Sequence, residues 1–316
     1  MHATASPPTG PPGPPAISVD GLTKRYGART AVDGLDLEVP TGVVAGFVGP
    51  NGAGKTTTMA MLLGLVRPSA GRGTVLGSSI DDPAAYLPRV GALIESPAFY
   101  GSLTGAENLR VFATVGGHDT GAIASLLDTV GLGDRGGDRF RSYSLGMKQR
   151  LGIAAALLGD PDLLILDEPA NGLDPQGVRE MRELISTLAS TGRTVLVSSH
   201  DLSELEQLCD WLVLIDTGRS LYQGPARDLL DGVAEGLAVV PSELAELATL
   251  ATVLSDAGHD VDRQPHRLVV RTGHPGAVAA EVNRAAFAAG IVLVELTPLR
   301  STLEDTYLSM VAGGVR

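Results

Sequence analysis

Eight consecutive residues, Gly49-Pro50-Asn51-Gly52-Ala53-Gly54-Lys55-Thr56, follow the pattern G-x-x-x-x-G-K-[ST]. Such a segment is built to hold a polyphosphate. Its glycines let the backbone curl so that successive N–H groups converge on one anion. Gly54 and Lys55 open a helix, with Thr57 inside its first turn, and the positive end of the helix dipole favours negative charge there. Lys55 is positioned to reach the outer phosphates, and the Thr56 hydroxyl to ligate Mg²⁺. A second group of chemical residues lies more than a hundred positions on. Residues 163–166 are wholly apolar and run directly into Asp167-Glu168-Pro169. A carboxylate at the carboxyl end of a buried strand stands beside a phosphate loop, where Asp167 can hold Mg²⁺. Glu168 can polarise an attacking water as general base. Together these segments describe a P-loop nucleoside-triphosphate hydrolase.

The elements that must position this chemistry can be read around it. Residues 43–48, just before the loop, are apolar on both faces, as in a parallel strand covered by helices. Residues 163–166, 194–197 and 211–215 share that character, and residues 31–39 form a short alternating strand. Helical stretches at 55–65, 147–158 and 178–190 alternate with them. The pattern predicts an α/β fold with a mostly parallel sheet. The first 15 residues are rich in Pro and Thr with no apolar run, and they predict an unpacked tail rather than a signal peptide.

Residues 16–231 form the predicted nucleotide-binding domain, and the character changes beyond them. Residues 232–316 predict a small accessory α/β domain: strand 237–240, helix 242–256, strand 268–271, helix 276–288, strand 291–296 and helix 301–311. Leu244, Leu247, Leu250 and Leu254 are read as its core, and Ser301 with Glu304 has capping-box spacing.

Bulk properties narrow the function. The formal charge is −12, with no basic cluster, which argues against nucleic-acid binding. The one cysteine, Cys209, has no internal partner, fits a reducing compartment and is read as packing. No apolar run approaches the roughly 20 residues of a membrane-spanning helix, so no direct insertion is expected. His118, His259, His266 and His274 stand in no such motif.

Three further segments complete a pattern: Tyr143-Ser144-Leu145-Gly146-Met147-Lys148-Gln149-Arg150, Asn171-Gly172-Leu173-Asp174 and Ser198-Ser199-His200-Asp201. In this order and at these spacings, residues 17–231 resemble the ATPases of ABC transporters, with a parallel-sheet core and a helical signature subdomain. The resemblance implies a role for each matching position. Tyr26 stacks on adenine. Ser144, Leu145 and Gly146 form the signature loop that binds the γ-phosphate held by the opposite subunit. Asp174 couples the two sites, and His200 joins Glu168 and Lys55 in catalysis. It implies ATP and Mg²⁺, a head-to-tail homodimer, and an integral membrane permease in about two copies. The chain would then be cytoplasmic, held at the inner face of the membrane through the permease.

Two departures from the family pattern refine this. The signature, usually LSGGQ, has Leu145 for a glycine and Met147 for the glutamine. Glu95 stands where the family has a glutamine that touches Mg²⁺ and the permease; a carboxylate can still ligate Mg²⁺, so activity is expected to be retained. With Ser96-Pro97-Ala98-Phe99-Tyr100 and the terminal Leu303-Glu304-Asp305, these departures resemble bacterial exporters of antibiotics and peptide antibiotics. An importer motor is the alternative within transport. A soluble ABC ATPase acting on ribosomes or DNA is the alternative outside it, disfavoured by the single ATPase domain and the acidic charge.

Overall fold

The computed structural model describes residues 14–95, 98–230, 236–299 and 303–313. These form two compact units, dividing between Ala226 and Arg227. Most of the predicted tail, and the expected boundary at residue 231, lie outside the described residues.

The first unit begins with β1 (Ile17–Tyr26), β2 (Arg29–Val39) and β3 (Val44–Val48), then α1 (Lys55–Leu62), β4 (Ala70–Val75), β5 (Ser78–Ser79) and β6 (Val90–Leu93). Three helices follow: α2 (Gly105–Gly116), α3 (Ile123–Thr129) and α4 (Leu145–Ala156). The chain then alternates through β7 (Leu163–Asp167), α5 (Pro175–Ser190), β8 (Thr194–Ser199), α6 (Leu202–Glu206) and β9 (Trp211–Asp216). The unit closes with β10 (Arg219–Pro225) and the start of α7 (Ala226–Leu230).

A six-stranded sheet in the order β10-β9-β3-β8-β7-β6 forms its centre. All pairings within it are parallel except that of the edge strand β10. Every residue of β3, β7 and β8 is buried, which explains why their sequences are apolar on both faces. A smaller antiparallel sheet, β2-β1-β4-β5, shares one core with the central sheet. Leu22, Leu37, Phe47, Met59, Ile165 and Leu196 meet in it, so α1 is gripped by both sheets. Between β6 and β7 stand α2, α3 and α4, the helical subdomain. Thr104 and Glu107 close a reciprocal capping box at the start of α2. Among the described residues no helix is long and apolar enough to cross a membrane.

The second unit contains β11 (Gly236–Pro241), α8 (Leu247–Asp256), β12 (Asp260–Arg263), β13 (Leu268–Arg271), α9 (Pro275–Ala288), β14 (Leu293–Leu299) and α10 (Leu303–Gly313). Its sheet runs β12-β13-β11-β14 and is antiparallel throughout. Strand–helix–strand–strand–helix–strand in that order is the split β-α-β arrangement. Leu237, Val239, Leu268 and Val270 meet Leu250, Leu254, Val282 and Ala286 in its core.

The sequence expectations need three corrections here. Strand β12 is additional; its residues Asp-Val-Asp-Arg give no apolar face to read. Helix α8 begins at Leu247 after a separate 3-10 turn over Leu244–Glu246, so Leu244 lies outside the core and is 53 % exposed. The last strand starts at Leu293 and continues to Leu299. The proposed cap Ser301 lies outside the described residues.

Candidate nucleotide site

The phosphate loop is the connection from the buried end of β3 into α1. Two glycines make its path possible. A Cβ on Gly49 would lie 2.5 Å from the Ile215 carbonyl. Gly54 has φ 105, in the left-handed region, and a Cβ there would lie 2.7 Å from the Ala31 carbonyl. Gly54 caps α1 without a side-chain bond, so the first amides of that helix are left for a ligand. Lys55 is only 5 % exposed, and its Nζ donates to the Gly49 carbonyl at 2.6 Å. Pro50, Asn51, Gly52, Gly54, Lys55, Thr56 and Thr57 line one cavity with Glu168. Gly49 supplies the carbonyl beneath, and Ala53 is buried under the loop.

Parallel pairing sets the second group against this loop. Asp167 of β7 pairs with Ser198 of β8, and Val48 of β3 with Ser199, so all three strands end at one edge. Thr56 Oγ1 donates to Asp167 Oδ2 at 2.7 Å. Ser198, fully buried, donates its hydroxyl to Asp167 Oδ1 and accepts from the Glu168 amide at 2.9 Å. That second bond fastens a residue whose φ is 46, an uncommon value for a non-glycine side chain. From this backbone Glu168 extends one carboxylate oxygen to 3.4 Å from Lys55 Nζ and the other to 2.9 Å from His200 Nδ1. Lys55, Thr56, Asp167, Glu168 and His200 therefore form one connected group.

The remaining predicted residues lie around that group. Tyr26 is 50 % exposed, with Lys24 Nζ 5.0 Å from its ring centre. Glu95 is exposed and follows β6 at φ 60. It lies two residues beyond Leu93, the last residue of β6, which pairs with Leu166 of β7. Among the described residues it forms no hydrogen bond with Thr56 or Asp167. Its loop leads to Phe99, which is wedged edge-on between Phe112 and Phe140 of the helical subdomain.

Ser144 is the N-cap of α4 and accepts from the Met147 amide at 3.3 Å; Asp174 caps α5 and accepts from the Gly177 amide at 2.8 Å. Ser144, Leu145, Gly146 and Asp174 line a cavity of roughly 450 Å³, distinct from the one that Lys55 lines. Arg150 of α4 braces this second cavity by binding Glu180 of α5 and the Val130 carbonyl.

The charges near His200 are also set by their surroundings. Hydrogen bonds from Ser203 hold the Asp201 carboxyl below its ordinary range. Burial, with Asp201 nearby, pushes Glu204 up. Burial likewise raises the Cys209 thiol, whose sulfur packs against Gly46.

Mg²⁺ fits the donors present. Thr56 and Asp167 offer adjacent hard oxygens, and this ion usually takes one or two protein oxygens with phosphates and water completing its shell. Arg29, which also lines the phosphate-loop cavity, was not singled out from the sequence, and Ser198 stood within the segment Ser198-Ser199-His200-Asp201 with no role of its own. A serine ending an otherwise apolar strand was the available signal for Ser198.

Comparison with known proteins bears on this arrangement. A family model described as ABC transporter matches residues 32–171, and one described as a domain of unknown function matches residues 237–304. The bacitracin transport ATP-binding protein BcrA of Bacillus licheniformis is 40 % identical over 301 residues, covering 94 % of this chain and 98 % of that protein. The daunorubicin resistance ATP-binding protein DrrA3 of Streptomyces coeruleorubidus is 37 % identical, covering 93 % and 95 % respectively. A solved structure of the ATP-binding subunit of an ABC transporter superposes with a TM-score of 0.60 at 31 % identity. It covers 68 % of this chain and 91 % of that one.

Proposed function

The chain belongs to the ABC transporter family of ATP-binding proteins, and from that premise we propose how its residues use ATP and what it powers. It is an ATPase subunit of an exporter-like transporter. The observation that carries the mechanism is the linked group Lys55–Glu168–His200 beside Thr56–Asp167 at one sheet edge.

In the proposed cycle the phosphate-loop amides and Lys55 hold the β- and γ-phosphates. Tyr26 offers its ring to adenine. Glu168 accepts the proton of the attacking water, and His200, held by Glu168, turns toward the γ-phosphate. Thr56, Asp167 and Glu95 are the residues that would hold Mg²⁺, which when bound would neutralise charge on the phosphates. Closure needs a second copy, because Ser144 lines a different cavity from Lys55 in its own chain. Two subunits head to tail place Ser144, Leu145 and Gly146 of each on the nucleotide of the other, with Asp174 between the sites. Loss of the γ-phosphate then removes the contacts that hold the dimer shut.

The cargo is an antibiotic or another hydrophobic or peptide compound, exported through an integral membrane permease in about two copies. Names of the full-length relatives support this class. Glu95, exposed on a loop anchored to the helical subdomain by Phe99, receives the permease. The subunit is cytoplasmic and peripheral at the inner membrane face.

The test traps tagged Glu168→Gln protein with MgATP in native membranes and identifies what co-purifies after gentle extraction. An integral membrane protein is the expected result. Ribosomal or DNA-bound proteins, with nothing from the membrane, would overturn the transport assignment.

A further inference from the structure

Arg29 opens β2 directly opposite Tyr26 and two residues before Ala31. Strand alternation puts Arg29 and Ala31 on one face, and both line the cavity of Lys55 and Thr56. The seating is close, since the Ala31 carbonyl occupies space that any side chain at Gly54 would need. Strand β2 is thereby pressed against the phosphate loop and carries Arg29 to it.

The guanidinium of Arg29 is exposed and makes no hydrogen bond or ion pair among the described residues. Nearby carboxylates are already engaged: Asp33 binds Arg219, and Glu168 lies between Lys55 and His200. Lys55 divides its own charge between Glu168 and the Gly49 carbonyl. A nucleoside triphosphate brings more negative charge than one shared ammonium and a helix terminus offset. An unpaired planar fork on the wall of such a cavity matches phosphate oxygens in shape and charge.

We infer that Arg29 is a second polyphosphate-binding cation, contacting the α- and β-phosphates from the side opposite the phosphate loop. Its place in the β1–β2 hairpin, next to Tyr26, puts it at the base-proximal phosphates rather than at the γ-phosphate beside Glu168. The inference rests on the nucleotide-site assignment above.

The experiment measures competition of ATP, ADP and adenosine against a fluorescent ATP analogue on the full chain. Arg29→Ala, Arg29→Gln and Arg29→Lys are compared with the wild type, and Lys55→Ala is the reference. Arg29→Ala and Arg29→Gln are expected to weaken ATP and ADP alike by about tenfold and leave adenosine unchanged. Arg29→Lys recovers part of the loss. A loss below fivefold overturns the inference, as does a loss for ATP without ADP, or an equal loss for adenosine. Should Lys55→Ala also bind ATP as the wild type does, the nucleotide-site assignment itself fails, and Arg29 with it.

Discussion

Replacing Ser198 by alanine tests whether the catalytic carboxylates are held by their neighbours or merely share an edge. The hydroxyl is fully buried and joins two consecutive acids at the end of β7, donating to Asp167 and accepting from the Glu168 amide at 2.9 Å. Alanine removes a hydrogen bond to a charged group and strands a buried N–H, together costing about 3 kcal/mol. In a unit of this size each kcal/mol moves Tm by roughly 2–4 °C, so a fall of about 6–12 °C is expected. Activity should suffer separately. Glu168 is kept at φ 46, a conformation costing on the order of 1 kcal/mol. Without its anchor the backbone relaxes, and the carboxylate leaves its position between Lys55 and His200. A misplacement near 1 Å costs on the order of 100-fold in turnover. Calorimetry on the purified chain and phosphate release under saturating MgATP measure the two effects. A variant melting within 2 °C of the wild type at wild-type turnover would refute the reasoning.

Glu168→Gln should bind ATP yet lose about 100-fold or more in turnover, as expected for a general base. Removing its charge also frees Lys55 from a partly buried ion pair, so ADP should bind a few-fold tighter by calorimetric titration. Leu250→Ala should cost about 2–5 kcal/mol in the transition of the C-terminal unit. Leu244→Ala should cost no more than about 0.5 kcal/mol, because that side chain is exposed. Denaturant titration of both variants separates them. Glu204 has its folded pKa raised by burial and by Asp201. The stability it contributes is present below its unfolded pKa and lost as pH rises through the raised folded value. Glu204→Gln mimics the protonated form, so it should melt higher than the wild type at pH 7 and equally at low pH. Melting curves across that range check the sign.

What could be read from sequence depended on whether a function is local in the chain. The phosphate loop is one uninterrupted octapeptide whose conformation its own glycines dictate, so its residues were assignable before any fold. Asp167 and Glu168 were legible because four apolar residues ahead of a charge pair can hardly be anything but a buried strand's end. Ser198 and Arg29 were not, because their roles come from register. One depends on β8 lying beside β7, the other on the antiparallel sheet lying against α1. Strand β12 escaped for a related reason. It is a short charged edge whose pairing with β13 leaves no mark in its own composition. The leucine spacing from 244 to 254 suggested one continuous helix, and only the structure shows the 3-10 turn that removes its first member from the core.

The contact between Thr56 and Asp167 spans 111 residues of sequence. Loop closure over that distance is costly in entropy, and strands β3, β7 and β8 must all be docked before the site exists. Nucleotide can therefore bind only the completed first unit and not partly folded chains. At a concentration 100 times its Kd, such a ligand adds about 2.7 kcal/mol to native stability. ATP in the cell is then a folding ligand as well as a fuel. A Lys55→Ala chain should accumulate to lower steady-state amounts than the wild type on immunoblots, even if its intrinsic stability in nucleotide-free buffer is unchanged.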